Sequence, residues 1–591
     1  MQLDLKKGSR ARILAILTLV IMAVFIVRLF YLQVIRHDYY VAQANKEQLK
    51  QLVISAKRGE IYAMDAGTPV PLVLNQAVYT VFADPKIVNE PQKMIDTVRQ
   101  IAGGNTRPNL DKLLANKDSR YQILATKVTR KQAELMKKEN LRGLGFQEES
   151  QRVYPEGQLA AQVLGFVNGE EKGQYGIEGA LNANLTGKDG LLQSVTDISN
   201  VPLTIGNKNI NIPPKNGENV VMTLDRNVQA YTEQALNRGL QAVKSRLQTS
   251  DDPKGSVLVM DPQTGKVLAM ANLPTYNPAE YGKVQDAAAF NNETISAPYE
   301  PGSDIKTLTM TTGVDKGVVS PDSTYNNTDY ITVDDATITN ATKGQTGNIT
   351  LQHALNYSLN TGFVTVAERL GDGSHINWAA RNTMYDYFHN KLRLGQLTDI
   401  ELANEQAGTI IPPSDPQGNA VRYSNMAFGQ GLDVTMLQVG AAFSSVINGG
   451  VYHTPSIVAG SMNDDGDAFT PAGAKPSVPG VVKASTSDTM RKMIHDARSA
   501  FYAGKDKPGY YIGGKTGTSQ TIEGGHYVDN QTVGTYLGFG GDSSSAGGPK
   551  YVIMVQVSGK NMNLAGNTDA MPIFTDISNW LLSYMKLQPK G

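Results

Sequence analysis

The longest apolar stretch of the chain comes first. Ile13 to Val27 runs without a charge, and beyond Arg28 it continues as Leu29-Phe30-Tyr31-Leu32. With the Arg28 stem lying along apolar surface and its charge reaching an interface, Ile13 to Ile35 is long enough to cross a bilayer. Lys6, Lys7, Arg10 and Arg12 precede it. That flank predicts a cytoplasmic tail over 1–12, a single-pass anchor over 13–35 in the cytoplasmic (inner) membrane, and export of the remainder. A cleaved signal peptide is the rival reading, with Ala42-Gln43-Ala44 as its cleavage site. Arg36, His37 and Asp38 stand between that triplet and the apolar run, which disfavours it. A buried soluble helix is disfavoured by the basic flank at the extreme N-terminus.

After the anchor the period changes repeatedly. "YVAQANKEQLKQLVISAKRGEIYAMDAG" passes from helical spacing to short alternating strands. "PLVLNQAVYTVFADPKIV" predicts two strands with a bend at Asn75-Gln76. Residues 87 to 145 carry helical patterns, for example Met94, Ile95, Val98 and Ile101. A glycine-rich stretch with one short apolar helix follows, then the polar loop "IGNKNINIPPKNGEN" and the strand "VVMTLD". Val228, Ala235, Leu236, Leu240 and Val243 have the spacing of a packed helix. "GSVLVMDPQTGKVLAMANLP" is a hairpin turning at Asp261 to Gly265. A helical region covers about 303 to 450. "TVGTYLGFGG" and "KYVIMVQVSG" form another hairpin around 541 to 550. Ile573, Ile577, Trp580, Leu581 and Tyr584 mark a closing helix. Helix, hairpin, helices, hairpin, helix describes an antiparallel sheet covered by helices, an α+β domain.

At 591 residues the chain is too long for one compact core. Its 55 acidic and 55 basic residues cancel, which gives no support to nucleic-acid binding. There is no cysteine, so disulfides, thiol catalysis and Cys-ligated zinc are excluded. The seven histidines are scattered without a metal-ligand spacing, and neither a metal nor another cofactor is expected.

Two motifs compete for Lys515 in "GYYIGGKTGTSQ". Gly509 to Thr516 fits the phosphate-cradling Gly-x-x-x-x-Gly-Lys-Thr loop. That loop needs an apolar strand before it and a helix after it. Here "AGKDKPG" precedes, polar "TSQTIEGGHYVDNQ" follows Thr518, and the best Walker B strand, "YVIMVQVSG", ends without an aspartate. The other reading joins Lys515-Thr516-Gly517 to two earlier motifs. Ser303 and Lys306 stand three apart where a helix starts, so they share a face, and a lysine with a lowered pKa can take a serine proton. Ser358 and Asn360 form Ser-x-Asn. Each motif alone is commonly a solvated helix face, a cap or a turn. Their order in one domain is the signature of penicillin-binding enzymes.

On these motifs the chain resembles a class B penicillin-binding protein, a monofunctional D,D-transpeptidase of the FtsI-like kind. The likeness includes "RGEIYAMDAG", "VYTVFADPKIV", "RVYPEGQLAAQVLGFVNG" and "GQYGIEGALNANLTGKDG". It continues through "VVMTLDRNVQ", "FNNETISAPYEPGS" and "NMAFGQGLDVTMLQVGAAFSSVINGG". The resemblance implies an elongated β-rich, non-catalytic pedestal or dimerisation-type domain over 36–220. A penicillin-binding transpeptidase fold with a helical subdomain follows over 221–591. Arg58, Arg152 and Glu178 fall at positions that the family uses for structural pairing. Ser303 would attack the carbonyl of a D-Ala-D-Ala stem peptide with Lys306 as base. Ser358 and Asn360 would relay protons and hold substrate. Lys515 would depress the Lys306 pKa and attract the terminal carboxylate, which the strand Thr516-Gly517-Thr518 would bind. Backbone N–H groups of Ser303 and Thr518 would form the oxyanion hole. An amine of a neighbouring stem peptide would resolve the acyl-enzyme, and β-lactams would stall there.

The implied partners are peptidoglycan stem peptides on lipid-linked glycan strands, β-lactams, and a SEDS-type glycan polymerase with other cell-wall synthesis proteins in the membrane. The implied process is cell-wall biogenesis in division or cell shape. A β-lactam sensor or inactive scaffold of the same fold is an alternative, as is a D,D-carboxypeptidase or β-lactamase. The sequence departs from the family twice. Asp304 replaces the usual small or apolar residue after the nucleophile. Its carboxylate is expected at solvent, a third of a turn from Ser303, with Asp304→Ala retaining β-lactam labelling. The segment "YNNTDYITVDDATITNATKGQTGNIT" is polar and Thr/Asn-rich, and reads either as an ordinary loop or as one that reshapes substrate access.

Overall fold

The computed structural model describes residues 7–40, 49–195, 210–523, 526–542 and 548–589. They fall into two compact units, Met1–Arg58 with Thr186–Gly217, and Gly59–Leu185 with Glu218–Gly591. In the first unit an α-helix, Lys7–Phe30, runs into a π-helical turn, Tyr31–Ile35. Within Arg10–Ile35 the most apolar 18-residue window has mean hydropathy 2.9 with none of it buried, and the helix is long and apolar enough to cross a membrane. Strands Leu49–Ile54, Gly190–Val195 and Ile210–Ile212 form an antiparallel sheet. The polar stretch expected as a loop therefore contains a strand, in which Ile212 pairs with Leu191. The helical spacing expected over 41–48 and the loop residues 205–209 lie outside the described residues.

In the second unit, Ile61–Asp65 and Thr68–Ala83 share a seven-stranded sheet with Asn219–Asp225 and Val458–Met462. Ile61–Asp65 and Asn219–Asp225 run parallel, Val220 opposite Ile61. Residues early and late in the chain are thus joined by backbone hydrogen bonds. Two expectations fail here. Thr68–Ala83 is one strand of 16 residues, without the bend at Asn75-Gln76. Asn75 and Gln76 stay extended because they pair with Arg152 and Gln151 of Leu144–Val153, and the Arg152 guanidinium donates to Asn75 Oδ1 at 2.8 Å. Residues 87 to 145 also hold a strand, Gln122–Thr129, between helices Pro91–Ala102, Leu110–Ala115 and Arg130–Lys138. Leu124, Ala125 and Val128 are buried against Met94, Ile95 and Val98.

The site is carried by helix α1 (Arg226–Leu247), strands β1 (Lys254–Met260) and β2 (Val267–Leu273), helices α2 (Lys306–Asp315), α3 (Asn360–Arg369), α4 (Met436–Ile447) and α5 (Ala484–Tyr502), strands β3 (Tyr511–Glu523), β4 (His526–Gly541) and β5 (Tyr551–Ser558), and helix α6 (Met571–Tyr584). The Asp225 carboxylate caps α1, accepting from the N–H groups of Asn227 and Val228, both at 3.0 Å. The strands form an antiparallel sheet in the order β2-β1-β5-β4-β3.

Strands β1 and β5 read as nearly continuous apolar runs because both faces of the sheet are covered. Val257, Val259, Ile553 and Val555 pack with Leu236, Leu240, Phe574 and Leu581 of α1 and α6. Leu258, Met260, Val552 and Met554 face the other way, into a core with Leu308, Phe363 and Phe443 of α2, α3 and α4. Strand β3 is the sheet edge, so one side of its backbone is open to a ligand. The predicted 303–450 helical region contains α2, α3 and α4 but is interrupted by two hairpins. In these, Thr324–Asn327 pairs with Gly347–Thr350, and Tyr330–Val333 pairs with Ala336–Thr339.

Candidate active site

Gly302–Ile305 forms a 3₁₀ turn that runs directly into α2, so Ser303 and Lys306 project from the same end of one helical segment. The turn is clamped from two sides. Gly302 has φ +62°, and a Cβ there would sit 2.7 Å from the Thr518 carbonyl oxygen on β3. Its N–H donates to Gly429 O at 2.9 Å, and a Cβ on Gly429, at φ +93°, would overlap the Gly302 carbonyl. Only glycine permits this approach of the Ser303 turn to both neighbours. Ser303 then opens into a cavity of about 540 Å³ that Ser358, Asn360, Thr516 and Thr518 also line.

Lys306 and Lys515 stand behind the cavity wall, and both are buried. Lys306 Nζ donates to Ser358 O at 2.7 Å, Asn360 Oδ1 at 2.7 Å and Ser358 Oγ at 3.1 Å. Lys515 Nζ donates to Ser358 Oγ at 2.9 Å, Thr516 O at 2.9 Å and Thr516 Oγ1 at 3.3 Å. One hydroxyl therefore bridges two amines. Both of its lone pairs are engaged, which leaves the Ser358 proton to point elsewhere. Ser358 is held with φ +56°, a left-handed conformation rare outside glycine and asparagine, which turns its carbonyl toward Lys306.

Three acceptors around Lys306 favour its ammonium form; removal from water and the nearby charge of Lys515 oppose it. The second pair of effects dominates, and the Lys306 pKa falls well below that of a free lysine. Burial also lowers Lys515. Two amines share one half-buried hydroxyl, and their like charges oppose full protonation of both.

The Thr/Asn-rich segment is the backing of Ser-x-Asn. Asn360 Nδ2 donates to Thr339 O at 2.8 Å. Behind it, Asn340 Oδ1 accepts from the Thr361 N–H at 3.0 Å, and Asn340 Nδ2 donates to Asn327 Oδ1 at 3.1 Å. The Thr361 hydroxyl donates to the same Asn327 oxygen at 2.9 Å. These amides are buried, so the segment is not an ordinary solvated loop.

Asp304 requires a correction. Its side chain does not reach solvent; it is completely buried. The next position along the turn from Ser303 points between Pro301 and Gly517, not outward. A Cβ on Gly517 would lie 2.9 Å from Asp304 Oδ2 and would overlap Thr535 Oγ1 of β4. Gly517 thus has a packing role behind the strand as well as its place between Thr516 and Thr518. Among the described residues no hydrogen bond reaches either Asp304 oxygen. Burial pushes the Asp304 pKa up, opposed by the Thr535 hydroxyl and the charge on Lys515.

Lys515 lies in mid-strand, paired with Leu537, and Gly514 packs against the ring of Tyr536. No helix opens at this point, so the backbone cannot form a phosphate cradle. Arg152 and Glu178 form an ion pair at 2.8 Å, with side chains 7% and 0% exposed. In the first unit Arg58 Nη1 donates to Thr186 Oγ1 at 2.8 Å.

Residues 255–579 match the model of the penicillin-binding protein transpeptidase domain, and 53–222 match that of the penicillin-binding protein dimerisation domain. The chain belongs to the penicillin-binding proteins. A dimerisation module ahead of a transpeptidase module is the class B arrangement, and the enzyme is a serine-type D,D-transpeptidase. It is 28% identical over 596 residues to stage V sporulation protein D of Bacillus subtilis, across 98% of this chain and 87% of that one. It is 26% identical to peptidoglycan D,D-transpeptidase FtsI of Escherichia coli, across 97% and 91%. Penicillin-binding protein 3 of Mycobacterium tuberculosis, solved in complex with aztreonam, superposes with a TM-score of 0.65 at 25% identity, across 91% of this chain and 98% of that chain.

The motif residues named from the sequence gather at this one cavity: Ser303, Ser358, Asn360, Thr516 and Thr518 line it, and Lys306, Lys515 and Gly517 stand behind its wall. The sequence reading gave no role to Gly429, Asn327, Asn340 or Thr535. The Phe-Gly-Gln-Gly run around Gly429 was a usable signal, since paired glycines mark close backbone approach. Nothing local singles out Thr535.

Proposed function

We propose that this protein cross-links peptidoglycan through an acyl-enzyme on Ser303. The observation that carries the reading is the Lys306–Ser358–Lys515 chain, two buried amines joined by a hydroxyl on the cavity wall, beside a serine that opens into the same cavity. Ser303 Oγ attacks the carbonyl carbon of the penultimate D-Ala and passes its proton to neutral Lys306 Nζ. The carbonyl electrons move to oxygen, where the N–H groups of Ser303 and Thr518 stabilise them. On collapse the C–N bond breaks, and the departing D-Ala amine takes the Ser358 proton, which Lys306 replaces. An amine of a second stem peptide attacks the ester by the reverse proton path, and Ser303 regains its hydroxyl. Lys515, Thr516 and Thr518 hold the terminal carboxylate, with substrate laid along the edge of β3.

In this reading residues 36–220 serve as a non-catalytic pedestal, 221–591 as the transpeptidase, and 13–35 as a single-pass anchor that keeps the site outside the cytoplasmic membrane. The apolar N-terminal helix and the named relatives support that placement. A membrane-embedded SEDS-type polymerase would supply the glycan strands, and β-lactams would acylate Ser303 as substrate mimics.

The test supplies the full-length protein in detergent with a D-Ala-D-Ala-terminated pentapeptide and an amine acceptor. D-Ala release with an amide-linked product, both lost in Ser303→Ala, is expected. Hydrolysed tetrapeptide alone would replace this reading with a carboxypeptidase. A penicillin adduct without D-Ala release would replace it with a sensor.

A further inference from the structure

Asp304 is a buried titratable group that the acyl-transfer steps do not use. It occupies the one direction in which the nucleophile turn faces the back of the Lys515-Thr516-Gly517 strand. The space there is shaped by Gly517, whose missing side chain leaves room for Asp304 Oδ2 and Thr535 Oγ1 together. Four buried polar atoms in this region make no hydrogen bond among the described residues: both Asp304 oxygens, Thr535 Oγ1 and Tyr299 Oη. The Thr535 hydroxyl is the nearby donor that favours the charged form of this carboxyl, with no hydrogen bond to either oxygen within range among the described residues. The carboxyl's effect on its surroundings is electrostatic, and in a dry interior that effect is long in reach.

The groups that feel it can be named. Lys515 and Gly517 stand two apart on β3 and so share a face, the face on which a Gly517 Cβ would meet Asp304 Oδ2 at 2.9 Å, and the Lys515 and Asp304 charges stabilise each other. Tyr299, ahead of the turn, is held protonated by burial and by Asp304. Lys306, on the helix that follows, feels Lys515. The adjacent Glu300 is turned away, accepting from the Gly431 N–H at 2.6 Å and from Tyr527 Oη at 3.1 Å. On the turn packed against β3 and β4, Asp569 is paired with Arg246 at 2.5 Å. Lys515 is therefore the cation toward which the Asp304 charge is directed.

We infer that Asp304 is a positioning residue for the transpeptidase chemistry. Buried behind Gly517, its carboxylate is the counter-charge that keeps Lys515 an ammonium, and through Lys515 it keeps Lys306 a free base. The inference rests on the proposed acyl-enzyme mechanism and adds a residue to it.

The sign follows from linkage. A carboxylate near Lys515 favours its charged form, so removing that carboxylate lets Lys515 lose its proton at lower pH. The alkaline limb of the acylation profile then moves down by about one pH unit, the lower end of what a nearby opposite charge supplies. The experiment measures the second-order rate of Ser303 acylation by a fluorescent penicillin from pH 5 to 10. It compares the full-length wild type, Asp304→Asn, Lys515→Arg and the double variant. The expected result is a downward shift in Asp304→Asn and no shift between Lys515→Arg and the double variant, because arginine does not titrate in this range. A uniform fall in rate without a shift of the limb would make Asp304 a packing residue and overturn the inference. So would an equal shift in the arginine background. If Asp304→Asn does not fold, Asp304→Thr removes the charge in a smaller side chain and carries the same comparison. Absence of any Ser303 adduct in the wild type would instead overturn the acyl-enzyme mechanism itself.

Discussion

The second unit buries charge in two contrasting ways. In the Gly59–Leu185 part, Arg152 and Glu178 lie at 2.8 Å with opposite signs, and Arg152 also binds Asn75. In the transpeptidase region, Lys306 and Lys515 share a hydroxyl with the same sign, and Asp304 accepts no hydrogen bond among the described residues. The first arrangement settles its charges among themselves and fixes two strands and a short helix in register. The second leaves proton affinity displaced from its ordinary value, which is what a base and a nucleophile require. At these two places, opposite charges meet in a contact away from the cavity and like charges meet behind its wall.

Three variants separate the two arrangements. Lys306→Met is expected to have the largest effect on function, lowering Ser303 acylation by about 10²- to 10⁴-fold, the range for loss of a general base. Its stability carries a pH signature. The folded-state pKa of Lys306 is depressed, so the unfolded chain binds the extra proton and the wild type loses stability as pH falls below the ordinary lysine value of about 10.4. The stability of Lys306→Met relative to wild type should therefore rise by about 1.4 kcal/mol per pH unit on descending from there. Denaturant melts between pH 7 and 10 check this, and a pH-independent difference would contradict a neutral Lys306. Arg152→Met should do the reverse. Breaking a buried pair costs about 3–5 kcal/mol of stability, while the acylation rate per folded molecule stays unchanged. Asn340→Ala should fall between them in kind but below both in size. It leaves the Thr361 N–H without its acceptor and should cost about 1–3 kcal/mol. Because Asn360 follows the same backing, a measurable loss of acylation should accompany that cost.

The legible part of this site is the part written in short spacing. Ser303 with Lys306 and Ser358 with Asn360 are local pairs, and Lys515-Thr516-Gly517 sits in a strand whose end was readable from Tyr511-Ile512. The N-terminal apolar helix, the hairpin turning at Asp261 to Gly265 and the closing helix were legible for the same reason: hydrophobic period is a local property. What failed depends on partners distant in sequence. Asn75-Gln76 looked like a bend until Arg152 and Gln151 were placed opposite. Asp304 looked like a solvent-facing residue because the elements that bury it, Gly517 and Thr535, belong to strands at the far end of the chain. The polar 325–350 segment gave no sign that Asn327 and Asn340 face inward, since amide side chains satisfied by one another leave no hydrophobic pattern.

The contrast between paired and unpaired burial stands or falls on where a β-lactam attaches and what that attachment needs. Benzylpenicillin incubated with the full-length protein, followed by peptide mapping by mass spectrometry, locates the adduct. The predicted result is one penicilloyl group on the peptide carrying Ser303, formed at neutral pH, strongly slowed in Lys306→Met and undiminished in Arg152→Met. An adduct on another residue, or one on Ser303 that forms as fast without Lys306, would contradict the account.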